Sequence, residues 1–135
     1  MRFLRYFIFW LPGIIIAICN AILRESLYLR FTDELGAHQL SVVSFILLFS
    51  IYVWLIYPFL KVESRVTALL IGGVWLILTI LFEFLFGYYV MDHSWIVLFH
   101  DYNILEGRMW IIVLFWIFIV PYVVLKLRKR ITKNN

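Results

Sequence analysis

Glu83 sits in the stretch Leu81-Phe82-Glu83-Phe84-Leu85-Phe86, a carboxylate with apolar neighbours on both sides. An ionisable side chain set in hydrocarbon costs a few kcal/mol or more unless it is paired, and such residues mark proton, ion or substrate sites. Two main readings follow. Glu83 takes a proton, a cation or a substrate at the floor of a polar pocket, or it forms an ion pair that fixes helix register. Arg24 and Arg108 are the candidate partners, because a guanidinium meets a carboxylate through two parallel hydrogen bonds and a buried charge is tolerated only when paired. Asn20, Glu25 and His38 complete the pocket candidates with these three. A third reading sets Glu83 against a partner subunit.

The histidines offer other chemistry. His93, His100 and Asp101 are candidates for general acid–base work near a lipid headgroup. His93 and His100 are also the metal candidates, and with His38 and Glu25, Asp92 or Asp101 they supply ligand types suited to zinc, iron or nickel. Their spacing matches no known metal motif: there is no H-E-x-x-H, no E-x-x-H on a helix face and no cysteine pair. Cys19 is the single cysteine; it excludes an internal disulfide and reads as a buried thiol. The serines and Thr79 lack the setting of a nucleophile elbow. No residue pattern names a cofactor.

The elements that position these residues follow from the apolar runs. Of the 135 residues, 65% are hydrophobic, 20% aromatic and 15% charged, with a mean hydropathy of +0.99. A soluble domain carries about a quarter charged residues and at this length buries only about two-thirds of its surface, so lipid must solvate most of this chain. A membrane span needs about 20 apolar residues. Residues 6–23, 40–60, 67–89 and 109–127 qualify, and backbone satisfaction in lipid makes each a helix. The first run is too long for a signal-peptide core of roughly 7–15 residues. The expected fold is all-α: a single membrane domain, a four-transmembrane-helix bundle with one or two short interfacial helices on the external side.

Orientation follows from the basic residues. With the N-terminus inside, the cytoplasmic side holds nine (Arg2, Arg5, Lys61, Arg65, Lys126, Arg128, Lys129, Arg130 and Lys133) and the other side three (Arg24, Arg30 and Arg108). That bias predicts both termini in the cytoplasm and an integral protein of the plasma membrane. The basic tail over residues 126–135 suits anionic lipid headgroups rather than nucleic acid, with Lys126, Arg128, Lys129 and Arg130 as anchors.

Glu83 then lies about six residues, or roughly 9 Å, below the external end of the third helix. Gly72, Leu76, Thr79, Glu83 and Gly87 share one face of that helix. Gly13, Ala17, Asn20 or Ala21, and Arg24 form a matching stripe of small and polar residues on the first, suited to close helix approach. Pro12-Gly13, Gly72-Gly73 and Pro121 mark places where a helix can kink or pack closely. Outside the spans, Trp95, Leu98, Phe99, Tyr102 and Leu105 follow helical spacing. This predicts an interfacial amphipathic helix over 93–106, capped by Asp92 or Ser94 and ended by Gly107, with Trp95 and Tyr102 as interface anchors. Residues 25–39 have a similar composition and predict a short interfacial helix ending near Gly36.

The set Phe82-Glu83-Phe84 with Phe86-Gly87, Ser94-Trp95, Asp101-Tyr102-Asn103, and Gly107-Arg108 with Trp110 resembles a pattern of small bacterial four-helix integral membrane proteins. The resemblance covers about the C-terminal half of the chain. It implies a bacterial inner-membrane location and attaches no activity. Three functions stay open. The leading one is a small transporter, channel or accessory membrane subunit with an outward-facing polar pocket; the others are an enzyme acting on outer-leaflet lipid or isoprenoid substrates, and a structural or assembly subunit. Membrane lipids are the expected partners. At 16.3 kDa one bundle encloses little volume, so a homo-oligomer or a membrane-protein complex is expected.

Overall fold

The computed structural model of the chain describes residues 1–100, 103, 105 and 107–135, and among these no strand forms. Four long helices, α1 (Arg2–Ser26), α2 (Glu34–Leu60), α3 (Arg65–Tyr89) and α5 (Trp110–Asn134), form the bundle, and a short helix α4 (Trp95–His100) joins α3 to α5. Each long helix is long and apolar enough to cross a membrane. The side chains agree with that solvent. Ile15, Leu47, Ile51, Leu55, Ile77, Leu81 and Phe115 are more than half exposed on the outside of the bundle, which water would penalise and acyl chains do not.

Residue pairings give the directions. Phe49 meets Gly13 and Ser41 meets Asn20, so α1 and α2 are antiparallel. Trp75 meets Tyr6 and Thr79 meets Trp10, so α1 and α3 run the same way. Glu83 meets Trp110 and Gly72 meets Phe118, so α3 and α5 are antiparallel. The start of α1 and the end of α5 therefore share one end of the bundle, here the terminal end; Asn20, Glu83 and α4 belong to the far end.

The core lies towards the terminal end and is aromatic. Tyr6, Trp10, Phe45, Phe49 and Trp75 are buried with Val53, Ile71, Val120 and Val124. Phe45 stacks on Phe49 at 5.4 Å between ring centroids, and Phe49 meets Trp75 edge-on at 5.9 Å. Lipid tails are as apolar as this core, so what holds it is van der Waals packing and interhelical hydrogen bonds, on the order of 0.6 kcal/mol each. Such bonds tie the helices along the bundle: Trp75 Nε1 donates to Tyr6 O (2.8 Å), Trp10 Nε1 to Thr79 Oγ1 (3.0 Å), Tyr52 Oη to Phe9 O (2.7 Å), Trp116 Nε1 to Ser50 Oγ (2.8 Å) and Asn20 Nδ2 to Ser41 Oγ (3.0 Å). Gly72 provides the closest approach, since a Cβ there would run into the Phe118 carbonyl.

Three prolines sit inside these helices: Pro12, Pro58 and Pro121. A helical proline removes the N–H that the carbonyl four residues earlier would accept, at about 3 kcal/mol. For Pro58 that carbonyl belongs to Trp54. Arg128 of α5 fills the gap: its Nη2 donates to Trp54 O at 2.6 Å, and its guanidinium lies 4.5 Å from the Trp54 ring centroid and 5.0 Å from that of Tyr57. Arg128, expected as a headgroup anchor, is thus turned inward to repair a helix, while Lys126, Lys129 and Arg130 are exposed.

Two connecting segments differ from expectation. Instead of an interfacial helix ending near Gly36, α1 continues to Ser26, one helical turn follows at Tyr28–Arg30, and α2 starts at Glu34. The cause is Asp33, whose Oδ1 accepts the Gly36 N–H at 2.8 Å and caps α2, so Gly36 begins a helix. Where a helix over 93–106 is expected, α4 stops at His100 and Asn103 is not helical. Six residues make a marginal helix, and docking holds this one. Leu98 fits against Gly87, where a Cβ would collide with it, and Trp95 stacks on Tyr88 and Phe84 at 5.0 and 5.9 Å. Trp95 thus packs on α3 and is half exposed, whereas Leu105, expected on the apolar face, is almost wholly exposed.

Candidate functional site

At the far end, beyond the Trp10–Thr79 bond, a cavity opens between α1 and α3. Small residues of α1 leave room for it. Gly13 receives the Phe49 ring of α2, which a Cβ there would meet at 3.1 Å, but Ala17 and Ala21 leave their space empty. They line a cavity of about 250 Å³ together with Ile18 on α1, and Phe82, Glu83, Phe86 and Gly87 on α3. Leu98 and His93 roof it, and Arg24, His38 and Trp110 close the sides. Ile18, 44% exposed on the outer face of the bundle, also lines the cavity, so a single side chain separates part of the cavity from that outer face.

A second, wider cavity of about 570 Å³ lies beyond it and shares Arg24, His38, His93 and Leu98 with it, adding Glu25, Glu34, His100 and Arg108. Below Glu83, a third of about 50 Å³ reaches Trp10 and Thr79 between Phe45, Phe49 and Phe82. Glu83 and Trp110 line both the middle and the deepest cavity. They are joined: Trp110 Nε1 donates to Glu83 Oε1 at 2.8 Å. A tryptophan N–H in an apolar setting has to find an acceptor; the donor here is the first residue of α5 and the acceptor is the Glu83 carboxylate of α3.

Among the described residues, Arg24 and Arg108, the expected ionic partners of Glu83, each form a salt bridge with another carboxylate. Arg24 Nε lies 3.2 Å from Glu25 Oε1, both partly exposed, a kind of pair that contributes little. Arg108 Nη2 lies 2.9 Å from Glu34 Oε1. The latter is part of a strap from the first turns of α2 to the start of α5. His38 Nε2 accepts the Met109 N–H at 3.2 Å, and Gln39 Nε2 donates to Gly107 O at 3.3 Å. Gly107 adopts φ +80°, a left-handed turn that a side chain would strain,. His38, 1% exposed, therefore serves as the acceptor for an N–H at a helix start, where no intrahelical partner exists; Nε2 must be unprotonated to do so.

The six pocket candidates thus separate. Glu83, Arg24 and His38 meet at the middle cavity; Glu25 and Arg108 line only the outer one. Asn20 is drawn away from both. It is 1% exposed, donates to Ser41 O at 2.9 Å and accepts from Ser44 Oγ at 2.7 Å, a clamp between α1 and α2. His93 lines both cavities and His100 the outer one. Asp101, Tyr102 and Glu106 lie outside the described residues. Among the described residues no group of three or more His, Cys, Asp or Glu is gathered so as to hold a metal ion.

Trp110 belongs to the sequence pattern with Gly107-Arg108 but not to the candidate site residues. Its signal was present, since any tryptophan in a span needs an acceptor, but Trp10, Trp75 and Trp116 carry the same signal and donate to a threonine, a backbone carbonyl and a serine. No family model, curated protein or solved structure matches the chain, and its function has to be read from this geometry.

Proposed function

We propose that this small polytopic membrane protein belongs to the transporter or accessory-subunit class, and that its far-end pocket faces outward and takes an amine-bearing amphiphile from the outer leaflet. What carries the reading is the floor of the middle cavity, where the Glu83 carboxylate stands among the rings of Phe82, Phe86 and Trp110. A carboxylate within aromatic faces suits an ammonium group, and the apolar walls that run out to the partly exposed Ile18 suit the chain behind it. An open channel fits less well, because Tyr6, Trp10, Phe45, Phe49 and Trp75 fill the bundle on the terminal side of Glu83. The outward orientation rests on the nine-to-three distribution of basic residues,.

A fluorescent dodecylamine titrated into the protein in nanodiscs tests this. Glu83→Gln should weaken binding by about tenfold or more, the scale of one buried charge-assisted contact, and Ala21→Trp should abolish it by filling the cavity. Binding unchanged in both variants sinks the proposal. The lipid-enzyme reading is favoured by one observation, that His93 lines the cavity beside Arg24. It requires that His93→Ala stop turnover of an outer-leaflet headgroup while the dodecylamine still binds.

A further inference from the structure

At the terminal end, the inward turn of Arg128 creates something the outward pocket does not use. Its Nη2 is committed to Trp54 O, and the two rings beneath it hold the guanidinium in place. Its Nε is buried without a hydrogen-bond partner among the described residues. Arg128 lines a cavity of about 430 Å³ between the end of α2 and the last turns of α5. Lys129, Thr132 and Lys133 line the same cavity, and Lys129 and Lys133 are neighbours on the helix surface at i, i+4. No acidic residue is among its lining. Like charges gathered at one cleft repel, and an anion placed among them removes that penalty. The opposite wall is apolar, formed by Tyr57, Val62 and Leu125.

We infer that this cleft is a binding site for the phosphate of an anionic membrane lipid. Arg128 is its preorganised base, Lys129 and Lys133 its closing cations, and the Tyr57–Val62 wall the support for the glycerol and the first acyl carbons. A planar guanidinium already fixed by stacking loses little entropy when a phosphate arrives. Lys126 and Arg130 sit on the same turns of α5, are exposed, and do not line the cleft. They attract any anionic surface; the cleft binds one headgroup and saturates.

The test uses the full chain in phosphatidylcholine nanodiscs, titrated with dioctanoyl-phosphatidylglycerol and read by native mass spectrometry. One lipid per chain should bind saturably. Lys129→Gln with Lys133→Gln should weaken it about tenfold, the scale expected for two surface cations near phosphate, and Lys126→Gln with Arg130→Gln, an equal loss of charge, by less than about twofold. Melting temperatures of both variants check that the fold is intact. Equal losses in the two double variants would reduce the effect to general attraction and overturn the inference. So would equal binding of dioctanoyl-phosphatidylcholine, and displacement of the glycerol lipid by equimolar inorganic phosphate would assign the cleft to the free anion instead.

Discussion

The two ends of this bundle solve opposite problems with the same residue types. At the terminal end tryptophan and tyrosine donors are spent on backbone carbonyls, as in Trp75 to Tyr6 and Tyr52 to Phe9, and buried aromatic rings fill the centre of the bundle. At the far end a tryptophan donor is spent on a carboxylate, Trp110 to Glu83, and small residues leave room around it. Even the arginines divide. Arg128 closes a defect left by Pro58, whereas Arg24 and Arg108 lie at the rim of cavities on surface carboxylates. The lesson is that close packing and an open site are alternatives set by a few small residues, since Gly72 admits a neighbouring backbone and Ala17 and Ala21 admit none.

The largest expected effect contrasts two glycines on one stripe of α3. Gly72→Leu should abolish the folded state in detergent melts, because the obstruction is the Phe118 backbone, which cannot move aside,. Gly87→Ala meets only the Leu98 side chain and should leave melting nearly unchanged while loosening α4; equal destabilisation would erase the contrast between the ends.

Next comes Arg128. Arg128→Ala should cost about 2 kcal/mol of stability through an orphaned carbonyl and a lost cation–π contact. Pro58→Ala restores the N–H to Trp54, so in that background the loss should shrink by about half. A cycle with no coupling energy would show that Arg128 does not act through the proline. At the far end, Trp110→Phe keeps a ring and removes the donor to Glu83, and about 1 kcal/mol is expected, with hydrogen exchange faster around Glu83 and unaltered at Trp75. His38→Phe should speed exchange of the Met109 amide and its neighbours and leave the terminal end untouched. Smallest of all, Glu25→Gln should not move the melting temperature measurably, since its pair with Arg24 is exposed,.

Much of this was legible in the sequence. Apolar runs of span length declare four helices whatever their neighbours, because lipid leaves the backbone no other way to satisfy its polar groups. A lone carboxylate between phenylalanines declares itself for the same reason, so Glu83 stands out as a candidate from its neighbours alone. The stripe of Gly72, Thr79, Glu83 and Gly87 was equally readable as a face turned inward. Which neighbour each member meets was not: Gly72 faces α5, Thr79 takes the indole of α1, and Gly87 receives α4. Periodicity fixes a direction on one helix, and partners depend on how four helices rotate about their axes.

Tertiary structure alone decided the rest. Asn20 and Glu83 read alike in sequence, yet one became a clamp and the other the floor of a cavity. His38, a ligand candidate by type, became the acceptor that seats the start of α5. Arg128 was indistinguishable from Lys129 and Arg130 in a basic tail until α5 lay beside Pro58. Local sequence determines what each segment can satisfy by itself, and the groups it leaves unsatisfied are matched only across helices, between residues such as Trp54 and Arg128 that stand 74 positions apart.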